Sequence, residues 1–287
     1  LPWAIISPEY FHASMRRRFA QVLGQHKSAQ DAATLAGVAQ IERWVFTCCK
    51  ELPVVSLIEP TAGYLTLALA KLLLGSTASE PELQTVLLGL VHIETTEINL
   101  ALAALAEQVR GDAAACAALN DKTPSELAID YARQGLPAVL QSGLAEFLRR
   151  YGHRAVAEVD LGLPRWAEDP RHILGALRND LNLRGVSPTQ QHERAHQDAL
   201  AMVRELSAPD RLGFPFGRLR GMAVRFLLLR AQVLLGRREQ WKDDLCRIFA
   251  GARHELAQVG QALVAAARLK DAADIYFLSL AEVREGL

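Results

Sequence analysis

Apolar residues recur at intervals of three and four along almost the whole chain, and this spacing restricts it to helical folds. The segments are bounded by Pro, Gly or a capping residue, as at Ser7-Pro8, Thr123-Pro124 and Ser187-Pro188. Aromatic residues make up only 6% of a chain that is 50% hydrophobic, so Ala and Leu, both strong helix formers, must fill the core. No alternating pattern of strand length is found. We therefore predict an all-α fold of about ten to twelve helices.

Two prolines are expected to interrupt the first part of the chain. Helices over residues 7–24 and 29–49 should be followed by breaks at Pro53 and Pro60, because proline lacks the backbone donor and clashes with the preceding turn. Shorter helices are expected at residues 62–74, 80–90, 96–110 and 170–180, and another after Thr123-Pro124. Further helices are expected at residues 136–150 and 188–206, and two long ones at 215–237 and 239–269.

One stretch, residues 151–170, lacks helical spacing, and we predict a long ordered loop there. Such loops in compact domains usually have a function or link two parts. Its ionisable and aromatic side chains could hold the loop in place or form a binding network, and their chemistry alone favours the first interpretation. These side chains are His153, Arg154, Glu158, Asp160, Arg165 and Trp166.

Charge and cysteine content exclude several classes of protein. The 32 basic residues balance 32 acidic ones, and the one dense basic run, residues 16–18, would point in three directions on a helix, so no nucleic-acid partner is expected. The four cysteines have neither zinc-ligand spacing nor an obvious disulfide partner, which indicates free thiols in a reducing, cytoplasmic compartment. They are Cys48, Cys49, Cys116 and Cys246.

The sequence also predicts no membrane partner. No apolar run is expected to reach the roughly 20 residues that a bilayer span needs, and no basic-then-apolar leader opens the chain. Because the chain begins with Leu1 rather than Met, we expect it to be a domain taken from a longer protein.

His192-Glu193-Arg194-Ala195-His196 matches the H-E-x-x-H signature of zinc proteases. On a helix the two histidines would share a face and could bind one Zn²⁺, with Glu193 acting on the bound water. The surrounding residues are polar, and no third ligand has a recognisable motif. A zinc hydrolase is therefore a remote alternative, and no metal site is predicted.

Arg238 and Lys242 lie four residues apart, so on a helix both cations could reach one anion. Taken alone, the pair is better explained by a solvated basic edge. The neighbouring Asp243-Asp244 does not continue into the aspartate-rich metal motif of terpene synthases. Neither a phosphate-binding G-x-x-x-x-G-K loop nor a G-x-S-x-G elbow is present.

Four segments together resemble the rifampicin phosphotransferases and related phosphoenolpyruvate synthase-like proteins. The loop is similar to their Y-G-H-R-x-x-x-E-x-D-L-x-x-P-R-W-x-E-D-P stretch, and Thr95-Thr96-Glu97 to their T-T-E segment. Arg238-Glu239 with Lys242 resembles their R-E-x-x-K, and residues 269–280 resemble the end of their helical domain. The resemblance covers residues 93–287, whereas residues 1–92 match only in being helical.

The resemblance implies a three-part enzyme. An ATP-grasp domain would activate phosphate with ATP and Mg²⁺, a second domain would carry it on a histidine, and a helical domain would present the hydroxyl of a hydrophobic small molecule. It also implies a role in antibiotic resistance. We interpret residues 1–287 as that single helical acceptor-binding domain, without a cofactor or catalytic activity of its own. A catalytically idle scaffold domain of the same kind of protein is the alternative.

The resemblance also assigns site residues. Arg238 and Lys242 would handle the phosphoryl group, and Glu97 would join the loop residues in a substrate network. One departure concerns the loop: Ala155, Val156 and Ala157 stand where the family usually has glycines, which affects the loop's backbone freedom.

Overall fold

The computed structural model describes residues 2–24, 35–182, 187–213 and 216–287. Within these ranges the chain is helical and contains no strand, which confirms the all-α prediction. The α-helices are α1 (Pro2–Ile6), α2 (Pro8–Gly24), α3 (Leu35–Leu74), α4 (Glu80–Val86), α5 (Glu94–Arg110), α6 (Ala113–Asp121), α7 (Pro124–Ala132), α8 (Ala138–Tyr151), α9 (Arg171–Asn182), α10 (Pro188–Leu206), α11 (Pro209–Leu212), α12 (Gly217–Gly236), α13 (Gln240–Ala265) and α14 (Leu280–Gly286). Short 3-10 helices cover Gly75–Thr77, Arg237–Glu239 and Ala272–Phe277.

The chain divides into two compact units. The first comprises Leu1–Arg17, Pro53–Ala103 and Arg184–Trp241, and the second comprises Arg18–Leu52, Ala104–Leu183 and Lys242–Leu287. The division falls within α2, α3 and α5 and again near the start of α13. The interpretation of residues 1–287 as a single domain stays a prediction.

The core of the first unit lies between α3, α4, α10 and α12. Leu74, Val86, Val203 and Leu228, one from each helix, are fully or almost fully buried in one cluster. The buried side chain of Gln232 donates a hydrogen bond of 2.9 Å to the carbonyl oxygen of Val86, so α12 is tied to the end of α4 by a polar contact as well.

The second unit has a separate core around α13. Leu256, Val259 and Leu263 follow one face of this helix and pack against Val38 of α3 and Ile275 of the last 3-10 helix. Buried leucines of α6 to α9 fill the rest of the unit: Leu119, Leu127, Leu140, Leu144, Leu174 and Leu177.

The predicted breaks at Pro53 and Pro60 are wrong, because α3 is helical through both positions. A proline inside a helix removes one hydrogen bond without necessarily ending the helix, and burial of a helix face can compensate for the loss. Beyond Pro60, Ala62, Ala70 and Leu74 are each fully buried. The expected helix starts at Ala29 and Pro215 lie outside the described residues.

The expectation that no apolar segment reaches bilayer length is also wrong. Among the described residues, Leu57–Thr77 is long and apolar enough to span a membrane by length and composition. A core helix of a soluble protein can meet the same criteria, and 33% of the residues in this window are buried within the structure. The absence of a membrane partner therefore stays a prediction.

Candidate functional site

The predicted loop separates α8, which ends at Tyr151, from α9, which begins at Arg171, and this confirms its place in the fold. Arg165 is only 2% exposed and donates to the carbonyl oxygens of Glu158 at 3.0 Å and Asp160 at 3.3 Å. Burial lowers the pKa of Arg165, with the nearby charge of Arg253 adding to the effect. The Arg165 guanidinium thus binds backbone carbonyl groups of its own loop, which is the role of a residue that stabilises the loop.

The Trp166 ring holds the end of the loop against two helices. It stacks at 6.4 Å from the Phe147 ring of α8 and at 6.2 Å from the His172 ring of α9. Its backbone N–H donates to the carbonyl oxygen of Arg154 at 2.8 Å. Arg154 is therefore fixed at the opposite end of the loop.

Asp243 of α13 is the centre of a buried charge cluster in the second unit. Its side chain is 0% exposed. His153 Nε2 lies 2.6 Å from Oδ1 and Arg154 3.3 Å from the same atom, while Arg247 donates to Oδ2 at 2.9 Å. Arg154 also forms an ion pair with Glu158. We call His153, Arg154, Glu158, Asp243 and Arg247 the Asp243 cluster.

The cluster holds Asp243 in its ionised form. Burial by itself raises the pKa of this carboxyl, but the hydrogen bond from His153 and the charges of His153, Arg247 and Arg154 outweigh it and keep the pKa below its ordinary value. Burial and the nearby Glu158 raise the pKa of the Cys246 thiol to about 12. Asp243 is therefore held as a carboxylate, and the nearby Cys246 thiol is held in its protonated, unreactive form.

Sequence reasoning did not select Asp243. It found the two loop residues His153 and Arg154 that bind this carboxylate, but their separation of 90 and 89 residues from Asp243 leaves no local pattern. The available signal was Arg247, four residues after Asp243 on the same helix.

The loop tolerates the loss of the family's glycines. Ala155, Val156 and Ala157 all have backbone conformations outside the positive-φ region, and Ala155 is buried with 3% exposure. Since none of the three needs the freedom of glycine, their methyl groups introduce no backbone strain.

The other predicted site residues lie elsewhere. Glu97 is at the start of α5 in the first unit, where its carboxylate lies 3.7 Å from His92 Nδ1. Its neighbour Thr95 donates to Glu239 at 2.8 Å, so the T-T-E and R-E segments do meet.

The two predicted phosphate-handling cations are both accessible. Arg238 is in the 3-10 helix before α13, with its side chain 40% exposed and only a loose 3.9 Å contact to Glu239. Lys242 is exposed and forms no ion pair with another described residue. Arg238 belongs to the first unit and Lys242 to the second, and their joint use of one anion stays a prediction.

The H-E-x-x-H residues lie on α10, where His196 and Glu193 have ordinary structural contacts. Nδ1 of His196 donates to the carbonyl oxygen of Gly89 at 3.1 Å, and Glu193 accepts from Gln197 at 2.8 Å. Gly89 has a φ of +61° and approaches the α10 backbone closely. No group of three metal-binding side chains occurs in the part of the chain that the structure describes.

Comparison with known families gives a direct match. The model of the rifampicin phosphotransferase fourth domain matches residues 56–239. The chain belongs to this family. The match begins well before residue 93, where the resemblance was expected to start, and it includes Arg238 but ends before Lys242.

Curated rifampicin phosphotransferases align with about two thirds of the chain. The protein from Streptomyces sviceus is 23% identical over 201 residues, 67% of this chain. Those from Bacillus subtilis and Bacillus cereus are each 24% identical over 68% of it. The aligned part spans only 22% of the length of each of these relatives.

Proposed function

We propose that this chain is the acceptor-binding helical domain of an ATP-dependent phosphotransferase. A histidine on another domain of the same polypeptide would deliver a phosphoryl group to the hydroxyl of a hydrophobic small molecule held here. Arg238 and Lys242 would bind the phosphoryl oxygens during transfer. Rifampicin is the first acceptor to test, because it appears in the name of the curated relatives.

Membership of the rifampicin phosphotransferase family is the observation on which this proposal rests. Both cations are accessible, and within the described residues Arg238 has only a 3.9 Å contact to Glu239 and Lys242 has no ion pair. This supports the proposal, since a group that must meet an incoming phosphate cannot be held in a strong internal ion pair. Phosphoryl transfer needs mainly positioning and positive charge around the moving group. ATP and Mg²⁺ would act on an ATP-grasp domain outside these residues.

The Asp243 cluster supports the same role for Lys242. Lys242 directly precedes Asp243, whose three partners fix the first turns of α13 against the loop. A lysine on a fixed helix start can be aimed at an anion with little loss of conformational freedom.

Single substitutions in the complete polypeptide test the proposal. Lys242→Ala and Arg238→Ala should each lower kcat for rifampicin phosphorylation by about 10²-fold, because charge builds up on the phosphoryl oxygens mainly in the transition state. The Kd for rifampicin, measured by calorimetry, should change less than about twofold.

Lys270→Ala provides the matched control, since Lys270 is an exposed lysine of the second unit. It should leave kcat and Kd at wild-type values. If both cation variants are as active as this control, the phosphate-handling site lies on another element. If rifampicin neither binds nor is phosphorylated, the acceptor is different or the domain is a scaffold.

A further inference from the structure

A cavity of about 410 Å³ lies within the second unit, away from the Asp243 cluster's polar contacts. Five separate segments form its walls, with Val45 from α3, Leu161 from the loop, Ala252 from α13, Ile275 from the last 3-10 helix and Val283 from α14. Its shape is therefore concave, and nearly all of its lining is apolar.

The polar side chains of the lining are already engaged. Glu42 forms an ion pair with Arg284. The Tyr276 hydroxyl donates to the carbonyl oxygen of Arg253 at 3.1 Å, and the Arg253 guanidinium covers the Tyr276 ring at 4.4 Å. A charged ligand group would lose its hydration here without gaining a partner, which is unfavourable.

We propose that this cavity is a binding site for a small, uncharged, apolar molecule. Its volume falls within the roughly 300–1,000 Å³ range of small-molecule sites. A protein partner is a poorer fit, since stable protein interfaces cover about 800 Å² per partner and are much broader than this depression.

The site is separate from Lys242, the proposed phosphate-handling residue of the second unit. Ala252 follows Lys242 by ten residues on α13, which places the two about 15 Å apart along the helix axis. A small molecule bound at Ala252 and Leu256 cannot reach Lys242. The proposal thus goes beyond the proposed function and does not depend on it.

Two fluorescent probes of matched size test the site on the chain of 287 residues. Phenylnaphthylamine is neutral and apolar, whereas anilinonaphthalene sulfonate has a similar ring system with an anionic group. Titration should give saturable, one-to-one binding of phenylnaphthylamine and at least tenfold weaker binding of the sulfonate. Absence of saturable binding of the neutral probe, or equal affinity for both probes, would overturn the proposal.

Substitutions locate the bound probe. Cys49 lines the cavity from an exposed position on α3, so Cys49→Trp should fill the space and weaken phenylnaphthylamine binding at least tenfold. Lys50→Trp, the same change at the next exposed position, should have no effect, and neither should Lys242→Ala. Equal affinities of the Cys49 and Lys50 variants would place the probe elsewhere.

A second variant distinguishes a loss of probe binding from a folding defect. Phe46 is 68% exposed at the edge of the cavity, so Phe46→Glu should leave the helical circular dichroism unchanged while abolishing binding of the neutral probe. Phe277→Glu, at an 87% exposed phenylalanine outside the lining, is its control. Retained binding in the Phe46 variant would contradict the proposal.

Discussion

Asp243 carries a charge that its neighbours must compensate, because its side chain is fully buried within the second unit. An isolated carboxylate with 0% exposure would be highly unfavourable, and here His153, Arg154 and Arg247 compensate its charge. Two of these partners come from the loop. The loop motif was recognisable because its residues are contiguous, whereas their shared acceptor was not, because only the folded chain brings it to them.

Removing the charge of Asp243 should destabilise the second unit strongly. Asp243→Asn keeps the size of the side chain but leaves the buried Arg154 with Glu158 as its only anionic partner in the cluster. We expect a loss of about 3–5 kcal/mol in the free energy of unfolding, measured by urea denaturation. Asp121→Asn, at an exposed position of α6, should stay within about 0.5 kcal/mol. Equal effects would contradict the role of the cluster.

The same carboxyl predicts a pH dependence. Because its pKa is lower in the folded than in the unfolded chain, the unfolded chain binds a proton more readily as the pH falls below about 4. The stability that Asp243 contributes is complete above that range and is lost on acidification. The difference in unfolding free energy between wild type and Asp243→Asn should therefore shrink from pH 6 to pH 3. A difference that grows toward low pH would contradict this assignment.

Helix starts were the most predictable elements. Thr123 caps α7 in a complete capping box with Glu126, and Ser187 precedes α10, as their sequences indicated. The effect of the two prolines in α3 was predicted wrongly. Local sequence rules include the hydrogen bond that proline removes, but they do not include the tertiary packing that stabilises the helix after the proline. Burial of Ala62 and Ala70 depends on distant helices, which no local window contains.

Replacing the internal proline of α3 should make the first unit more stable. Pro60→Ala restores a backbone donor and removes the ring from the preceding turn, so we expect a gain of about 1–3 kcal/mol in thermal or urea unfolding. Pro81→Ala is the control, because Pro81 is in the first turn of α4, where no hydrogen bond is missing. A loss of stability in the Pro60 variant would show that the ring itself is needed for packing.

At the scale of the whole molecule, helical periodicity was sufficient to predict the fold class, since almost every segment has the same spacing. The location of the cavity in the second unit was not predictable, because its lining combines residues from 41 to 283. Lys242 and Arg238 were found by resemblance alone. Their spacing on a helix could not distinguish a phosphate site from a solvated edge.

The isolated chain should be catalytically inactive while still binding ligands. The activating nucleotide site and the histidine carrier are proposed to lie on other domains, so incubation with ATP, Mg²⁺ and rifampicin should yield no phosphorylated product by mass spectrometry. Rifampicin binding should persist in calorimetry. ATP hydrolysis that survives purification and changes in Lys242→Ala would place catalytic groups within this chain.

The raised pKa and the burial of the Cys246 thiol allow its alkylation rate to report local opening of the second unit. A thiol that keeps its proton up to about pH 12, and that is only 2% exposed, reacts with alkylating reagents only while the protein is locally open. The exposed Cys49 should be modified within the first phase of the reaction, and Cys246 in a slow phase. The rate of that slow phase would then report how often α13 and the loop separate, without any label having been introduced.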